Sequence, residues 1–531
     1  MLKVISPALR ALLRPSLNGF KRELRLPREA QSRLLEKLIA GLSKSEYGRA
    51  HGVKAADDYE TFAARVPVVA YDDLSQWIER QQNEEKNILV AEPVLFYEKT
   101  SGSAGAAKLI PYTASLKASF NRMFLLWLGD LLERGPRLET GKTFLSISPV
   151  ACENKPTARG RKIGLEDDAE YLSLWAKWLL EPFLAVPGSI KKIRDTGLFR
   201  RALATMLIAA DDLEIVSIWN PTLLESLMNF AEQQGETIIE DLKRGRLDCE
   251  NLSFEFKRAS VARLELLTEK PVRWAEVWPR LKLISCWASA NAERSAQRIK
   301  ERFPNAMVQG KGLLATEAPM TAPLIEARGF VPLISEVFYE FEDDSGKLML
   351  LDELEEGRDY DLIISQKGGL YRYRIGDTVR VTHFYERAPC LEFQGRSDAV
   401  SDIVGEKLNE KFVESCLARL DQSARFQTLL PVISEKGAAY YLLIVDGLTD
   451  SIQSCEAQLE AALCEAYHYR AARRLGQLDR ARARVVREAM QIYFDYFTEK
   501  GMKLGDIKHQ YLINNLEDAA RLLKRFSKGF T

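Results

Sequence analysis

Thr100-Ser-Gly-Ser-Ala-Gly-Ala-Ala-Lys-Leu-Ile-Pro-Tyr-Thr113 follows a short apolar run, Val94-Leu-Phe-Tyr97, that reads as a strand. It precedes a strongly apolar stretch, residues 114–134, that reads as a helix. The loop places two hydroxyls (Ser101, Ser103), two glycines (Gly102, Gly105) and Lys108 within eight residues. Glycine lets a backbone bend until its N–H groups converge on one point. Converging N–H groups, hydroxyl donors and an ammonium together suit a polyphosphate. Taken alone, the stretch reads first as a Gly/Ser surface turn with a solvated lysine. The phosphate reading therefore draws on the rest of the chain.

The chain has 531 residues, too many for one hydrophobic core, so two or more domains are expected. Its apolar fraction of 46% and charged fraction of 28% are those of an ordinary soluble globular protein. The formal net charge is zero, which gives no bulk electrostatic pull toward nucleic acid or an anionic membrane. Seven scattered cysteines, without a C-x-x-C pair, point to a reducing compartment and not to a disulfide framework or zinc site. Four histidines without H-E-x-x-H argue against a histidine-rich metal centre. Arg10 and Arg14 interrupt the weak apolar stretch at the N-terminus, which does not read as a signal peptide. No apolar run is long enough to span a bilayer. The expectation is a cytoplasmic protein without a nucleic-acid or membrane partner.

In chain order, residues 1 to about 50 read as helical, with Leu34, Leu35, Leu38, Ile39 and Leu42 at helix spacing. Short helices are expected from Tyr59 to near Val66-Pro67, and from Tyr71, where Asp72 and Asp73 suit the N-terminal dipole. Thr143-Phe-Leu-Ser-Ile-Ser148 reads as a buried strand and residues 152–168 as a polar surface loop. Residues 171–268 read as mostly helical around a strand at Glu214-Ile-Val-Ser-Ile-Trp219, with Trp and Leu residues read as core that could shape a substrate pocket. From residue 281 the period changes to strands: Leu281–Trp287, then a helix from Asn291 to Phe303, then 331–341 and 348–351 around the turn Asp343-Asp-Ser-Gly346, then 359–365 and 370–383. A βαβ-like front half followed by a β-rich section implies a large mixed α/β body. Gly395-Arg-Ser-Asp398 reads as a turn after a strand and is taken as the boundary, giving domains 1–394 and 395–531. The second domain reads as a helix, a strand at Ala439–Val445, a long helix over about 451–471, a charged helical stretch and a final strand and helix. Arg470–Arg487 is dense in arginine with Glu and Asp at its flanks and is read as a solvated helix face.

Five polar motifs lie at the ends of these expected strands, where α/β sheets bind their ligands. They are Thr100–Lys108, Trp287-Ala-Ser-Ala290, Leu313-Leu-Ala-Thr-Glu317, Gly369-Leu-Tyr-Arg-Tyr-Arg-Ile-Gly-Asp377 and Gly395–Glu410. Singly, Asp377 could close a turn, Glu317 cap a helix and Arg396 pair with a surface carboxylate. Their order resembles that of the adenylate-forming superfamily. It is most similar to the auxin-responsive family of acyl acid–amido synthetases, the plant hormone-conjugating enzymes and their bacterial relatives. The likeness covers nearly the whole chain. Glu46-Tyr-Gly-Arg49, Tyr59-Glu60, Val66-Pro-Val68 and Tyr71-Asp-Asp-Leu74 resemble the family's opening. Thr100-Ser-Gly-Ser103 with Lys108-Leu-Ile-Pro111 resembles its phosphate loop, and Lys500-Gly501 with Lys508 its late lysine segment. Leu370–Asp377 is the most specific match.

The resemblance implies an adenylate-forming α/β fold with a small mobile C-terminal α/β domain. It implies ATP and Mg²⁺, a small-molecule carboxylic acid, and an amino acid or other amine as acceptor. It implies that Ser101, Ser103 and Lys108 hold the β- and γ-phosphates, that Thr316 contacts the α-phosphate and that Glu317 helps hold Mg²⁺. Ala288 and Ser289 would lie along the adenine, and Asp377 would accept the ribose hydroxyls. Arg396 would approach the nucleotide, Asp398 would lie at the hinge, and Lys407 and Lys508 would swing toward the nucleotide or the acyl-adenylate. The chemistry needs no Ser or Cys nucleophile, and no G-x-S-x-G elbow occurs. The chain departs from the family in Leu313, where an aromatic residue is usual, in Ala104, where the loop commonly has a hydroxyl, and in His509-Gln510-Tyr511, where Pro-Arg usually follows the late lysine. Two other readings share the fold: an adenylating ligase with a thiol acceptor, coenzyme A or a carrier protein, and a binding protein without turnover.

Overall fold

The computed structural model describes residues 2–83, 87–99, 108–147, 163, 181–396, 400–420, 424–433, 439–448, 451–502 and 504–529. The described chain divides into two compact units, a larger one made of most residues up to Phe393 and a smaller one made of the residues from Gln394 onward together with Ala290–Ala292.

The larger unit opens with helices Leu2–Glu23, Pro27–Leu42, Glu46–Ala50, Tyr59–Arg65 and Tyr71–Asn83. Leu34, Leu35, Leu38, Ile39 and Leu42 bury the inner face of the second of these, and Pro27 starts it where a missing N–H costs nothing. Val94–Lys99 pairs antiparallel with Leu109–Thr113, Lys99 opposite Leu109, so the Gly/Ser stretch joins two strands of a hairpin. The second strand is only five residues long and contains Pro111, which hides its period. Thr113 then caps the helix Ala114–Arg134, its hydroxyl accepting the Leu116 N–H at 3.1 Å.

Strands Lys142–Leu145, Leu213–Ser217, Leu283–Cys286 and Met307–Gly310 form a wholly parallel sheet in chain order. Helices between successive strands supply the crossovers, among them Thr196–Ala209, Pro221–Gln233 and Glu293–Arg302. The second sheet is antiparallel, ordered Leu348–Leu350, Val337–Glu342, Asp359–Gln366, Tyr373–Tyr385 and Ala388–Arg396. A single buried cluster joins this sheet, the N-terminal helices and the hairpin.

The smaller unit packs helices Glu410–Leu417, Ile452–Leu463, Tyr467–Arg474, Ala489–Glu499 and Leu516–Phe526 with a three-stranded sheet. Phe426–Ile433 and Ala439–Asp446 are antiparallel there, and Arg482–Val485 joins in parallel.

Several sequence expectations change. The segment read as helical from 171 to 268 contains a hairpin, Arg246–Cys249 with Leu252–Glu255. Gly245, at φ +72°, ends the preceding helix, and strands of four residues are too short to display a period. The run 331–341 splits at a turn, so Gly329–Pro332 pairs with Thr321–Leu324 while Val337–Glu342 enters the antiparallel sheet. Glu336 is buried in that turn and accepts from Ser119, Arg122 and Lys367. The helix expected over 451–471 breaks between Leu463 and Tyr467. Arg470–Arg487 is not one helix face, because Arg482–Val485 is a strand whose Ala483 is buried while Arg482 and Arg484 point out. The arginines obscure an alternation of period two.

A buried ion pair fastens the helix Tyr59–Arg65 to the antiparallel sheet. Arg372 Nη2 lies 2.8 Å from Glu340 Oε1, with the side chains 4% and 1% exposed. Arg372 Nη1 also donates to the carbonyls of Ala63 and Val66, at 2.7 and 2.8 Å. Tyr59 donates its hydroxyl to Glu340 at 3.0 Å. Val69 completes the junction, its N–H on Arg372 O at 3.0 Å and its carbonyl on Arg374 N at 2.8 Å. Replacing Glu340 by Ala leaves a guanidinium buried without its counter-charge and is expected to remove about 3–5 kcal/mol of unfolding free energy. Denaturant unfolding measures this, and a loss below about 1 kcal/mol, the scale of an exposed pair, would contradict it.

Candidate functional site

Lys108 closes the hairpin loop. Its ammonium lies 5.7 Å from the centre of the Tyr71 ring, and the Tyr71 hydroxyl accepts the Leu109 N–H at 2.7 Å. Burial raises the Tyr71 hydroxyl above the ordinary tyrosine range, so it stays protonated. Ser101 and Ser103 lie outside the described residues.

The loop hairpin touches the Thr316-Glu317 turn directly. Tyr112 donates its hydroxyl to the Thr316 carbonyl at 2.6 Å, across 204 residues of sequence. The turn is closed by Ala315 N–H on Ala318 O at 3.2 Å and Met320 N–H on Leu313 O at 3.1 Å. Gly312 enters it at φ +72°, and a Cβ there would meet Thr321 Oγ1 at 2.3 Å. Glu317 is 8% exposed. Gln366, at the end of strand Asp359–Gln366, donates to the Glu317 carbonyl at 3.1 Å. Thr113 donates its hydroxyl to Lys367 O at 3.0 Å. Three segments separate in sequence thus meet at one turn. Leu313 is 3% exposed and packs in the main core. The residue that departs from the family's aromatic is here a core side chain.

Asp377 sits where strand Tyr373–Tyr385 loses register. Thr378 faces Asp361 and Arg374 faces Ile363, so Ile375, Gly376 and Asp377 bulge opposite Leu362. Gly376 adopts φ +84°, a region that side chains resist. Bulges re-aim side chains, and this one turns half-buried Asp377 off the regular alternation.

Ala288 and Ser289 follow the parallel strand Leu283–Cys286, at its C-terminal end. Trp287 N–H bonds Trp219 O at 2.8 Å, which joins two strand ends. Ser289 hydrogen-bonds half-buried Glu392, whose carboxyl is raised by burial and by the charge of Glu293. Lys311 stands at the last strand end, 5.0 Å from the Trp219 ring centre and 2.8 Å from Ser217 Oγ. Burial pushes the Cys286 thiol up to about 12, so it is protonated at neutral pH and is not a nucleophile.

In the smaller unit, Arg396 ends the strand Ala388–Arg396, and Asp398 lies outside the described residues. Lys407 is exposed at φ +44° between Glu406 and Leu408, both fully buried. Glu406 accepts from Ile403 N and Val404 N at 2.8 Å each and from the Tyr441 hydroxyl. Buried and beside the Glu406 charge, the Tyr441 hydroxyl is raised far above its usual range. Lys508 is exposed, and its carbonyl accepts the Tyr493 hydroxyl at 2.8 Å. His509, in the family's proline position, packs against Phe426 and Tyr511 with ring centres 4.8 and 4.5 Å apart. Tyr511 N–H bonds Glu410 at 2.9 Å, which ties the Lys508 segment to the helix that follows Lys407.

Sequence reasoning did not single out Tyr112, Gln366, Glu340, Glu406 or Tyr441. Each makes a contact distant in sequence, and only the place of Tyr112 and Glu406 within quoted stretches could have drawn attention to them.

Models of the GH3 family N-terminal, central and C-terminal domains match residues 16–308, 330–396 and 403–517. A probable indole-3-acetic acid-amido synthetase of Oryza sativa subsp. japonica is 25% identical over 73% of this chain and 69% of its own. The structure of an acyl acid amido synthetase, AtGH3.15 with 2,4-DB, superposes with a TM-score of 0.83 at 18% identity, covering 98% of this chain and 96% of the other. A 2-hydroxyisobutyryl-CoA ligase in the postadenylation state superposes at 0.54 with 16% identity, covering 94% and 92%. The fold is that of the adenylate-forming ligases, a mixed α/β chain with N- and C-terminal domains.

The bulge makes a test of its own. Gly376→Ala strains a left-handed position by about 1–2 kcal/mol and is expected to turn Asp377, raising the KM for ATP several-fold. Gly357→Ala, at φ +83° with open space around it, carries like strain and is expected to leave that KM unchanged. Equal KM values for the two variants would sever Asp377 from the nucleotide.

Proposed function

The chain belongs to the GH3 family, and from that premise we propose that it is an ATP-dependent acyl acid–amido synthetase. It joins a carboxylic acid to AMP and passes the acyl group to an amino acid or another amine. The carboxylate oxygen attacks the α-phosphorus, and the bond to pyrophosphate breaks. The amine nitrogen then attacks the acyl carbon and loses a proton, and AMP leaves with the electron pair of the C–O bond. Activation is needed because a carboxylate has a poor leaving group and the two reacting anions repel each other.

The observation that carries this reading is the convergence on the Thr316-Glu317 turn. Tyr112 from the loop hairpin and Gln366 from the strand beside Asp377 both bond it. A triphosphate held by that loop and a ribose held by Asp377 would then flank Thr316 and Glu317. In this reading Ser101, Ser103 and Lys108 hold the β- and γ-phosphates, Thr316 meets the α-phosphate, and Ala288 and Ser289 line the adenine. Cationic and N–H donors stabilise the charge that builds in the transition state. Mg²⁺ would come bound to the triphosphate. A hard cation takes oxygen ligands, and the Glu317 carboxylate together with the phosphates would hold it. Among the described residues no group of three or more His, Cys, Asp and Glu side chains forms a protein-only cage.

The smaller domain, residues 395–531, supplies Arg396, Lys407 and Lys508, with Asp398 at the hinge to the body, residues 1–394. Lys407 and Lys508 are exposed ammonium groups on rigidly held backbone, suited to meet an anionic adenylate. A cytoplasmic location belongs to the proposal, in keeping with the free thiols of Cys249, Cys286, Cys390, Cys416, Cys455 and Cys464. Among the described residues no helix is long and apolar enough to cross a membrane.

ATP–pyrophosphate exchange with a panel of carboxylic acids tests the first half-reaction, and silence with every acid would overturn it. AMP release that depends on an amine and not on coenzyme A tests the second, with mass spectrometry reading the amide. The opposite dependence would make the acceptor a thiol. Lys108→Ala is expected to slow exchange by about tenfold to a thousandfold, the scale of one charged transition-state contact. Asp377→Ala is expected to raise the KM for ATP or abolish adenylation, and an unchanged KM and rate would remove the ribose role.

A further inference from the structure

The carbonyls of Thr316 and Glu317 are consecutive, and each accepts a hydrogen bond from a buried side chain. Tyr112 donates to the first at 2.6 Å and Gln366 to the second at 3.1 Å. These carbonyls belong to the two peptide planes that flank the Glu317 Cα. Peptide groups are planar, so fixing both planes fixes φ and ψ at Glu317 and with them the direction of its Cα–Cβ bond.

The donors are themselves immobile. Tyr112 is fully buried between Phe96 and Phe120, with ring centres 4.8 and 5.6 Å away. Gln366 is also fully buried, and its Oε1 accepts the Gly368 N–H. Gly368 sits so close to the hairpin that a Cβ would meet Pro111 O and Leu116 Cδ2 at 2.7 Å. Next to it, Lys367 pairs with buried Glu336, which also takes Arg122 Nη1 at 2.9 Å. The support therefore runs from the core of the body to the turn without a flexible link.

We propose that Tyr112 and Gln366 are positioning residues for nucleotide activation, aiming the Glu317 carboxylate at the metal ion that accompanies the nucleotide's phosphates. The proposal rests on the role given above to Glu317. Partners that orient a ligating group from behind typically change affinity or activity by about 10–100-fold when lost.

The experiment uses the full chain and α,β-methylene-ATP as probe, titrated calorimetrically at several Mg²⁺ concentrations. Tyr112→Phe keeps both ring stacks and removes one hydroxyl. Gln366→Met keeps the volume and removes both hydrogen bonds. Each is expected to weaken Mg²⁺-dependent binding by about tenfold and to raise the Mg²⁺ concentration for half-maximal binding. In a Glu317→Ala background, Gln366→Met should weaken binding no further. Wild-type binding by both variants, with Glu317→Ala impaired, overturns the positioning role and leaves the site reading intact. An equal further loss in the Glu317→Ala background, together with a lower thermal midpoint, shows support of the fold alone and also overturns it. Unimpaired binding by Glu317→Ala removes the metal role and the proposal together.

Discussion

A guanidinium buried against a carboxylate joins the helix Tyr59–Arg65 to the antiparallel sheet of the larger unit. Arg372 answers Glu340 with three hydrogen bonds, and its remaining donor goes to the carbonyls of Ala63 and Val66. A pair so deep costs much desolvation, which its hydrogen bonds offset in part. Arg372 itself stands at φ +48°, so the backbone turns there and strand Tyr373–Tyr385 starts at the next residue. The helix Tyr59–Arg65, the strand Val337–Glu342 and the start of the strand that carries Asp377 meet at this junction.

From that junction the order passes to the candidate site through backbone. Gln366 ends one strand and Tyr373 begins the next, and between them the chain reaches back to the loop hairpin at Gly368. The Thr316-Glu317 turn is bonded by the hairpin Val94–Thr113 through Tyr112 and by the end of strand Asp359–Gln366. The smaller unit uses a similar device. Glu406, buried and bonded by Ile403, Val404 and Tyr441, keeps the neighbouring Lys407 at a left-handed angle with its side chain exposed. In both units a buried polar group fixes the backbone, and an adjacent chemically active group points where packing leaves it.

Much of the architecture is legible in the chain itself. Leu34, Leu38 and Leu42 announce a helix, and Asp343-Asp-Ser-Gly346 announces a hairpin, which forms between Val337–Glu342 and Leu348–Leu350. Long periodic segments carry enough repeats to declare their period. Elements of four or five residues do not, so the strands at Leu109–Thr113, Arg246–Cys249 and Arg482–Val485 escaped notice. The last was also disguised by charge, because arginines on alternate residues look equally solvated on a helix or a strand.

The sequence by itself determined the family, through motifs whose order survives low identity, and with it the residue types available for phosphate, ribose and amide chemistry. Motifs are local in the chain, so they can be read without knowing what packs against them. Only the tertiary structure decided that Val94–Lys99 pairs with Leu109–Thr113, that Leu313 belongs to the core, that Asp377 rides a bulge, and that Tyr112 and Gln366 bond one turn. Those facts depend on contacts between residues as many as 204 positions apart, which no local pattern encodes.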